Sequence, residues 1–196
     1  MQKRVIIVHG WDGYPEEGWF PWLKHELEAR HFEVDVPQMP AAGTPRIEAW
    51  VPHLAKIITW SDQETFLIGH SIGCQTILRA LEILPVGRHI KAAVLVAPFL
   101  EFLTLGDKTV DVTAEEAIAT PWLTTPIDYE RVRQQVDQIV AIFSDDDPYV
   151  PLANVQLFED RLNAETIVVP KMGHFSGGDG TIEIPLVLKT IGKLDH

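Results

Sequence analysis

The chain has 196 residues, of which 46% are hydrophobic and 22% charged, a composition typical of a single globular domain and unlike that of a disordered chain. Its formal net charge of −12 repels phosphate backbones and anionic lipids, which argues against binding to nucleic acid or to a membrane surface. Its single cysteine, Cys74, excludes an internal disulfide and a thiolate zinc cluster.

The N-terminal segment and the hydropathy of the chain bear on its location. No apolar segment approaches the ~20 residues needed to span a bilayer. The apolar run behind the basic N-terminus, at residues 5–8, is too short for a secretion signal. We therefore expect a soluble, cytoplasmic protein that forms one domain over residues 1–196.

Short β-branched runs alternate with amphipathic segments along the chain. In order, the apolar runs predict strands at residues 4–9, 32–36, 65–69, 92–97, 139–144 and 166–169. Helical spacing predicts a first helix with Trp19, Trp22, Leu23 and Leu27 on one side, then helices at residues 46–60, 72–84, 152–162 and 184–194. This alternation predicts an α/β fold, a three-layer α/β/α sandwich around a six-stranded, mainly parallel sheet.

Residues 99–130 interrupt this alternation. The segment contains Pro121, Pro126 and scattered acidic residues, and no clear strand. The simplest interpretation is a surface excursion, but insertions of this kind commonly line binding sites. We therefore expect the segment near the active site, where it could hold Phe102 and Trp122 over a cleft.

The strongest local motif is Gly69-His70-Ser71-Ile72-Gly73, which fits G-x-S-x-G. It follows a predicted strand directly and opens an amphipathic helix, which is the setting in which this motif forms a nucleophile elbow. The two glycines let neighbouring backbones pass close to a strained turn. The motif therefore predicts Ser71 as a nucleophile; the alternative is an ordinary strand-to-helix cap.

A serine nucleophile needs a base, and the expected chain order is Ser, then Asp or Glu, then His. Of eight histidines, His174 directly follows the last predicted strand, and Gly173 permits the sharp turn that would aim its ring over the sheet edge. An acid that holds the imidazole in the correct tautomer is expected after the penultimate strand, where Asp145, Asp146 and Asp147 stand in a row. A solvated acidic turn is the alternative interpretation.

Attack by a serine on a carbonyl group also needs an oxyanion hole made of two backbone N–H groups. One is expected from Ile72, the residue after the nucleophile, and the other from Trp11 in the loop after the first strand. Gly10 lets that backbone turn its amide inwards, and His9 is expected to brace the loop without a direct catalytic role.

Taken together, His9-Gly10-Trp11, Gly69-His70-Ser71-Ile72-Gly73, Asp147-Pro148 and Gly173-His174-Phe175 resemble the compact α/β-hydrolase family that includes retinoblastoma-binding protein 9 and its bacterial relatives. The resemblance extends to residues 19–23 and to Met39-Pro40, and so covers nearly the whole chain. It implies a minimal α/β-hydrolase fold with little or no lid, a Ser-Asp-His triad and no cofactor. Esterase and peptidase-like activities are both attributed to members.

A second resemblance ranks the three carboxylates. The segment Asp147-Pro-Tyr-Val-Pro151 resembles the D-x-x-V-P segment of known hydrolases, which favours Asp147 as the triad acid with Asp146 as the alternative. The acidic run could instead suggest a metal site, but no further ligands are evident nearby, and we expect no metal.

These residues predict a serine hydrolase that cleaves a small ester or amide through an acyl-enzyme on Ser71, with a small-molecule acyl substrate as its partner. The alternatives are a non-catalytic binding protein on a hydrolase scaffold, and an acyltransferase. Nucleotide-binding fingerprints are absent from the sequence. The substrate pocket is expected to be lined by Trp11, Tyr14, His70, Pro98, Phe99 and Trp122.

Overall fold

Six parallel strands form one open sheet in the computed structural model, which describes residues 3–59, 64–85, 87–105 and 113–195. The spatial order is β2-β1-β3-β4-β5-β6, and every neighbouring pair is parallel. The strands are β1 (Lys3–Val8), β2 (Phe32–Asp35), β3 (Glu64–His70), β4 (Ile90–Val96), β5 (Val136–Ser144) and β6 (Glu165–Val169). The predicted α/β fold with a six-stranded parallel sheet is confirmed.

The helices of the described residues are α1 (Phe20–Glu28), α2 (Ile47–Thr59), α3 (Ile72–Ile83), α4 (Thr113–Thr124), α5 (Tyr129–Gln135), α6 (Ala153–Leu162) and α7 (Pro185–Leu194), with a 3₁₀ turn at Gly177–Asp179. All but α7 and this turn lie between consecutive strands. The predicted boundaries agree within about three residues. The expected end of the second helix, residue 60, lies outside the described residues.

The sheet is covered on both faces, which explains why its strands have continuous apolar runs. Side chains alternate along β1, so that Ile6 and Val8 pack into one hydrophobic cluster while Val5 and Ile7 pack into the other. The first cluster includes Trp50 of α2 and residues of α3 and α6. The second includes residues of α1 and α7. Helices α1, α2, α3, α6 and α7 are therefore held chiefly by the apolar side chains that they bury in these two clusters.

Residues 99–130 contain helical structure that the sequence pattern did not predict. Helix α4 and the start of α5 lie in this segment, whereas residues 106–112 lie outside the described part of the chain. Pro121 inside α4 weakens the helical pattern, but tertiary contacts hold the helix in place. The buried guanidinium of Arg79 donates to the carbonyl oxygens of Trp122 (3.0 Å) and Thr125 (2.8 Å), which fastens the end of α4 to α3.

The chain leaves the sheet at one edge after each strand, since all six strands run in the same direction. Loops that follow β1, β3, β5 and β6 therefore meet at the carboxyl edge, the position at which open α/β sheets bind ligands. Among the described residues, no helix is long and apolar enough to cross a membrane.

Candidate active site

Ser71 occupies a strained turn between β3 and α3. Its backbone has φ 52° and ψ −119°, a combination that costs a residue with a side chain on the order of 1–3 kcal/mol. Two residues after Ser71, the backbone of β1 and of the loop that follows it comes so close to Gly73 that no side chain fits there. A Cβ at Gly73 would collide with the carbonyl oxygen of Val8 and lie 2.6 Å from that of His9. The hydrogen bond from Ser71 N to Val96 O (2.9 Å) ties the strained turn to β4.

His174 and Asp147 form a buried pair. His174 Nδ1 lies 2.9 Å from Asp147 Oδ2 and 3.1 Å from Oδ1, and the Asp147 side chain is 1% exposed. Asp147 Oδ1 also accepts from the backbone N–H groups of Tyr149 (2.8 Å) and Val150 (3.0 Å), so the carboxylate is held in place. Because a carboxylate accepts, Nδ1 donates, and Nε2 remains as the ring nitrogen able to take up a proton.

The neighbouring carboxylates have a different role. Asp146 Oδ1 accepts from Ser144 Oγ (2.7 Å) and Gly173 N (2.9 Å), while Asp145 Oδ1 accepts from Lys171 N (2.8 Å). The hydrogen bond from Ser144, followed by that from Gly173, holds the pKa of Asp146 below its usual value. Both carboxylates therefore support the loop after β6. Of the three aspartates, Asp147 is the one whose hydrogen bonds among the described residues include the imidazole.

The backbone of His174 is held from both sides by side chains. Asp179 Oδ2 accepts from His174 N (3.0 Å), and the ring of His70 donates from Nε2 to His174 O (2.7 Å). Burial raises the pKa of Asp179, but hydrogen bonds from Ser176 and from the His174 amide outweigh burial and lower it overall. Gly173 has φ 53°, and a Cβ there would lie 2.7 Å from the Asp179 carboxylate, so the turn favours glycine.

One cavity of about 470 Å³ brings Ser71 and His174 together at the carboxyl edge. Within the described chain, no hydrogen bond joins the Ser71 hydroxyl to His174. The pair thus shares a cavity, and Ser71 Oγ makes no hydrogen bond to any of the described residues. The other lining residues are Gly10, Trp11, Asp12, Glu17, Gly43, His70, Leu103, Thr104, Leu105, Ala114, Glu115, Ile118, Tyr149 and Ser176.

The wall of this cavity combines apolar and acidic side chains. Leu103, Leu105 and Ile118 supply apolar surface, while Asp12, Glu17 and Glu115 supply carboxylates. Burial raises the pKa of Glu17 above its ordinary value, against a backbone hydrogen bond from Tyr14 that lowers it. No lysine or arginine is among the described residues that line the cavity.

The two amides expected to form an oxyanion hole lie beside this cavity, since Trp11 lines it and Ile72 follows Ser71. Neither Trp11 N nor Ile72 N donates a hydrogen bond to another described residue. His9 braces the loop. Its Nδ1 donates to Gly10 O (2.8 Å) and its Nε2 accepts from Met39 N (3.0 Å), and burial lowers its pKa.

The expected pocket lining needs correction, because of its five side chains other than Trp11 only His70 borders the cavity. Phe99 and Trp122 are each 1% exposed and pack into the core, where Trp122 Nε1 donates to Pro45 O (3.1 Å). Pro98 is buried outside the cavity lining, and Tyr14 is 51% exposed at the surface. Phe99 and Trp122 are thus used for core packing.

Other parts of the wall are formed by residues that the sequence motifs did not indicate. Asp12 and Glu17 lie in the loop after β1, and Tyr149 lies in the loop after β5, two residues after Asp147. Because both strands end at the site, the position of these residues in the chain could have indicated that they line the cavity. Within residues 99–130, the described residues that line the cavity are Leu103, Thr104, Leu105, Ala114, Glu115 and Ile118. The described residues contain no group of three or more His, Cys, Asp or Glu side chains that could hold a metal ion.

The open parallel sheet, with a serine on a strained turn after β3, defines an α/β-hydrolase fold. The serine hydrolase family model matches residues 5–193, and the chain belongs to this family of enzymes. YdeN of Bacillus subtilis (strain 168) is 29% identical over 187 residues, which cover 95% of this chain and 93% of YdeN. The serine hydrolase RBBP9 of Rattus norvegicus is 27% identical over 175 residues, which cover 88% and 87% of the two chains.

Solved structures agree with this classification. The crystal structure of the B. subtilis ydeN gene product matches with a TM-score of 0.87 and 27% identity, over 98% of each chain. A YdeN-like protein of Pectobacterium atrosepticum has a TM-score of 0.68 at 18% identity, over 98% of this chain and 90% of that one, and shares the fold. The expected family and the hydrolase class are thereby confirmed.

Proposed function

We propose that this enzyme hydrolyses an ester or amide of a small or medium-sized acyl group through an acyl-enzyme on Ser71. His174 takes the proton of Ser71 as Oγ bonds to the substrate carbonyl carbon. The amides of Trp11 and Ile72 bind the resulting oxyanion. The bond to the leaving group then breaks, and His174 passes its proton to that group. A water then loses a proton to His174 and attacks the acyl carbon. The bond between that carbon and Oγ breaks, and His174 returns the proton to Oγ, which releases the acid and regenerates Ser71.

One observation carries this proposal: Ser71 and His174 line the same cavity, and His174 Nδ1 is paired with the buried Asp147. The pairing supports Nε2 as the proton acceptor, because a neutral imidazole with its hydrogen on Nδ1 has an unprotonated Nε2. The Ser71–His174 hydrogen bond that catalysis needs is expected to form with substrate present, since such bonds are often long in free enzymes.

The dimensions and chemistry of the cavity support the proposal that the substrate carries a small or medium-sized acyl group. A volume of about 470 Å³ lies in the range of small-molecule sites. Trp11, Leu103, Leu105 and Ile118 offer apolar surface to an acyl chain, and the nearby carboxylates disfavour an anionic substrate.

The nucleophile is tested with a fluorophosphonate probe and peptide mapping. We expect one adduct, on the peptide that contains Ser71, and no adduct in Ser71→Ala. Ser176 is the internal comparison, because it also lines the cavity and its peptide should stay unmodified. Labelling of Ser176, or of Ser71→Ala at the wild-type rate, would refute the assignment.

The reaction class is tested with p-nitrophenyl esters of increasing acyl length and with the matching anilides. We expect Ser71→Ala to lower kcat by about 10⁴-fold or more for any substrate that is cleaved. A protein that binds these acyl compounds but neither cleaves them nor reacts with the probe would instead be a binding protein on this scaffold. Faster product release on adding an alcohol or amine acceptor would indicate acyl transfer.

A further inference from the structure

His70 links the turn that carries Ser71 to the loop that carries His174. It ends β3, directly before Ser71 in the chain, and its side chain crosses to the loop after β6. There Nε2 lies 2.7 Å from the carbonyl oxygen of His174, and the residue is 4% exposed. A carbonyl oxygen only accepts, so Nε2 carries the proton of this bond.

We propose that His70 is a positioning residue, whose hydrogen bond to the His174 backbone sets the distance between the Ser71 hydroxyl and the His174 imidazole. The inference rests on the proposed function, because it assigns His70 to the spacing of that nucleophile and that base.

The other contacts of the His174 loop do not replace this bond. Asp179 belongs to the loop itself, and Asp146 and the indole of Trp19 connect the loop to the end of β5 and to α1. Among the side-chain hydrogen bonds of the described residues, the bond from His70 is the one that joins the loop to the strained turn. A change in its length therefore acts directly on the gap between nucleophile and base.

The surroundings of His70 favour its neutral form, which still donates from Nε2 in the tautomer that this bond selects. The titratable groups that act on it are His174, Asp147 and Asp179, and its ring centroid is 5.0 Å from that of His174. The rings of Phe20, the first residue of α1, and of Trp19, which precedes it, pack edgewise against the His70 ring. Burial, followed by the effect of His174, lowers the pKa of His70 to about 3. No second positive charge then opposes the imidazolium that forms at His174.

The test uses two polar replacements that differ in reach. The amide nitrogen of Gln extends about as far as Nε2 of histidine, whereas Asn is one methylene shorter and leaves the His174 carbonyl unbonded. We expect His70→Gln to keep kcat within about threefold of wild type. His70→Asn should lower kcat by about 10²-fold with KM within about threefold, since a misplacement of about 1 Å costs that much.

Three results would overturn the inference: wild-type kcat in both variants, an equal loss in both, or a loss that matches the fraction of protein unfolded at the assay temperature. His53→Asn is the matched control, because His53 is half-buried in α2 outside the cavity lining, and wild-type kcat is expected.

A second measurement examines the hydrogen bond without relying on activity. Nitrogen-15 NMR of wild-type protein should show His70 neutral and protonated on Nε2 between about pH 5 and pH 8. An Nδ1-protonated ring would overturn the inference even for an active enzyme. Failure of Ser71 to react with the fluorophosphonate, with His70 in the Nε2 form, would count against the proposed function instead.

Discussion

His174 Nδ1 lies 2.9 Å from Asp147 Oδ2, although 27 positions separate the two residues in the chain. The contact follows from the sheet, because Asp147 comes after β5 and His174 after β6, and these strands are parallel neighbours. Helix α6 occupies the intervening chain and returns it to the start of β6. The two loops therefore emerge side by side at the carboxyl edge.

Asp147→Asn is expected to lower kcat for ester hydrolysis by about 10⁴-fold, since an amide in place of the carboxylate favours the wrong tautomer of His174. Steady-state kinetics with a p-nitrophenyl ester measures the loss. Asp146→Asn is the matched control: Asp146 bonds to Ser144 and Gly173 and not to the imidazole, so the loss should stay within about tenfold. Equal losses in the two variants would contradict the assignment of the acid.

Gly73→Ala should destabilise the fold, because a Cβ at this position meets the carbonyl oxygens of Val8 and His9. We expect the free energy of unfolding in urea to fall by about 1–3 kcal/mol or more. Gly192→Ala is the opposite case: Gly192 lies within α7, and a Cβ there meets no atom within 4 Å. Gly192→Ala should therefore raise the free energy of unfolding by about 0.5–1 kcal/mol. A stable Gly73→Ala protein would show that the close backbone contact is not needed.

The free energy of unfolding should fall as the pH drops below about 6.5, because burial lowers the pKa values of His9 and His70. In this range the unfolded chain binds protons that the folded protein does not. For His70, with a folded pKa of about 3, the slope approaches about 1.4 kcal/mol per pH unit. Urea unfolding of wild type and His70→Gln between about pH 7 and pH 5 isolates this contribution. Parallel slopes would mean that His70 is protonated in the fold.

Asn154 fastens the segment that leads into the cavity wall. Its Oδ1 accepts from Leu100 N (2.9 Å), and its Nδ2 donates to Phe102 O (2.8 Å) and Pro151 O (3.0 Å). Asn154→Ala leaves these buried groups unpaired and should lower the free energy of unfolding by about 2 kcal/mol or more. Gln156→Ala, an exposed change on the same helix, should stay within about 0.5 kcal/mol. A similar cost for both would refute this role of Asn154.

Local pattern was sufficient for the sheet and most helices, since a strand buried on both faces must be apolar throughout, as residues 5–8 and 92–97 are. The nucleophile elbow could also be predicted from local sequence, because the strained turn at the serine needs glycines close to it in the chain. Helices α4 and α5 were missed. The contacts that hold α4, such as the Arg79 bonds to the carbonyl groups of Trp122 and of Thr125 just after the helix, join residues more than forty positions apart.

The sequence by itself determined the α/β fold, the serine hydrolase family and Ser71 and His174 as the candidate nucleophile and base, because each rests on short motifs and on periodicity along the chain. Only the tertiary structure decided which of the three adjacent aspartates contacts His174 and which side chains line the cavity. It also decided that the His70 side chain reaches from the turn at Ser71 to the loop that carries His174. Those relationships depend on which loops the parallel sheet brings together and on the direction in which each side chain leaves a turn, and neither is encoded in local spacing.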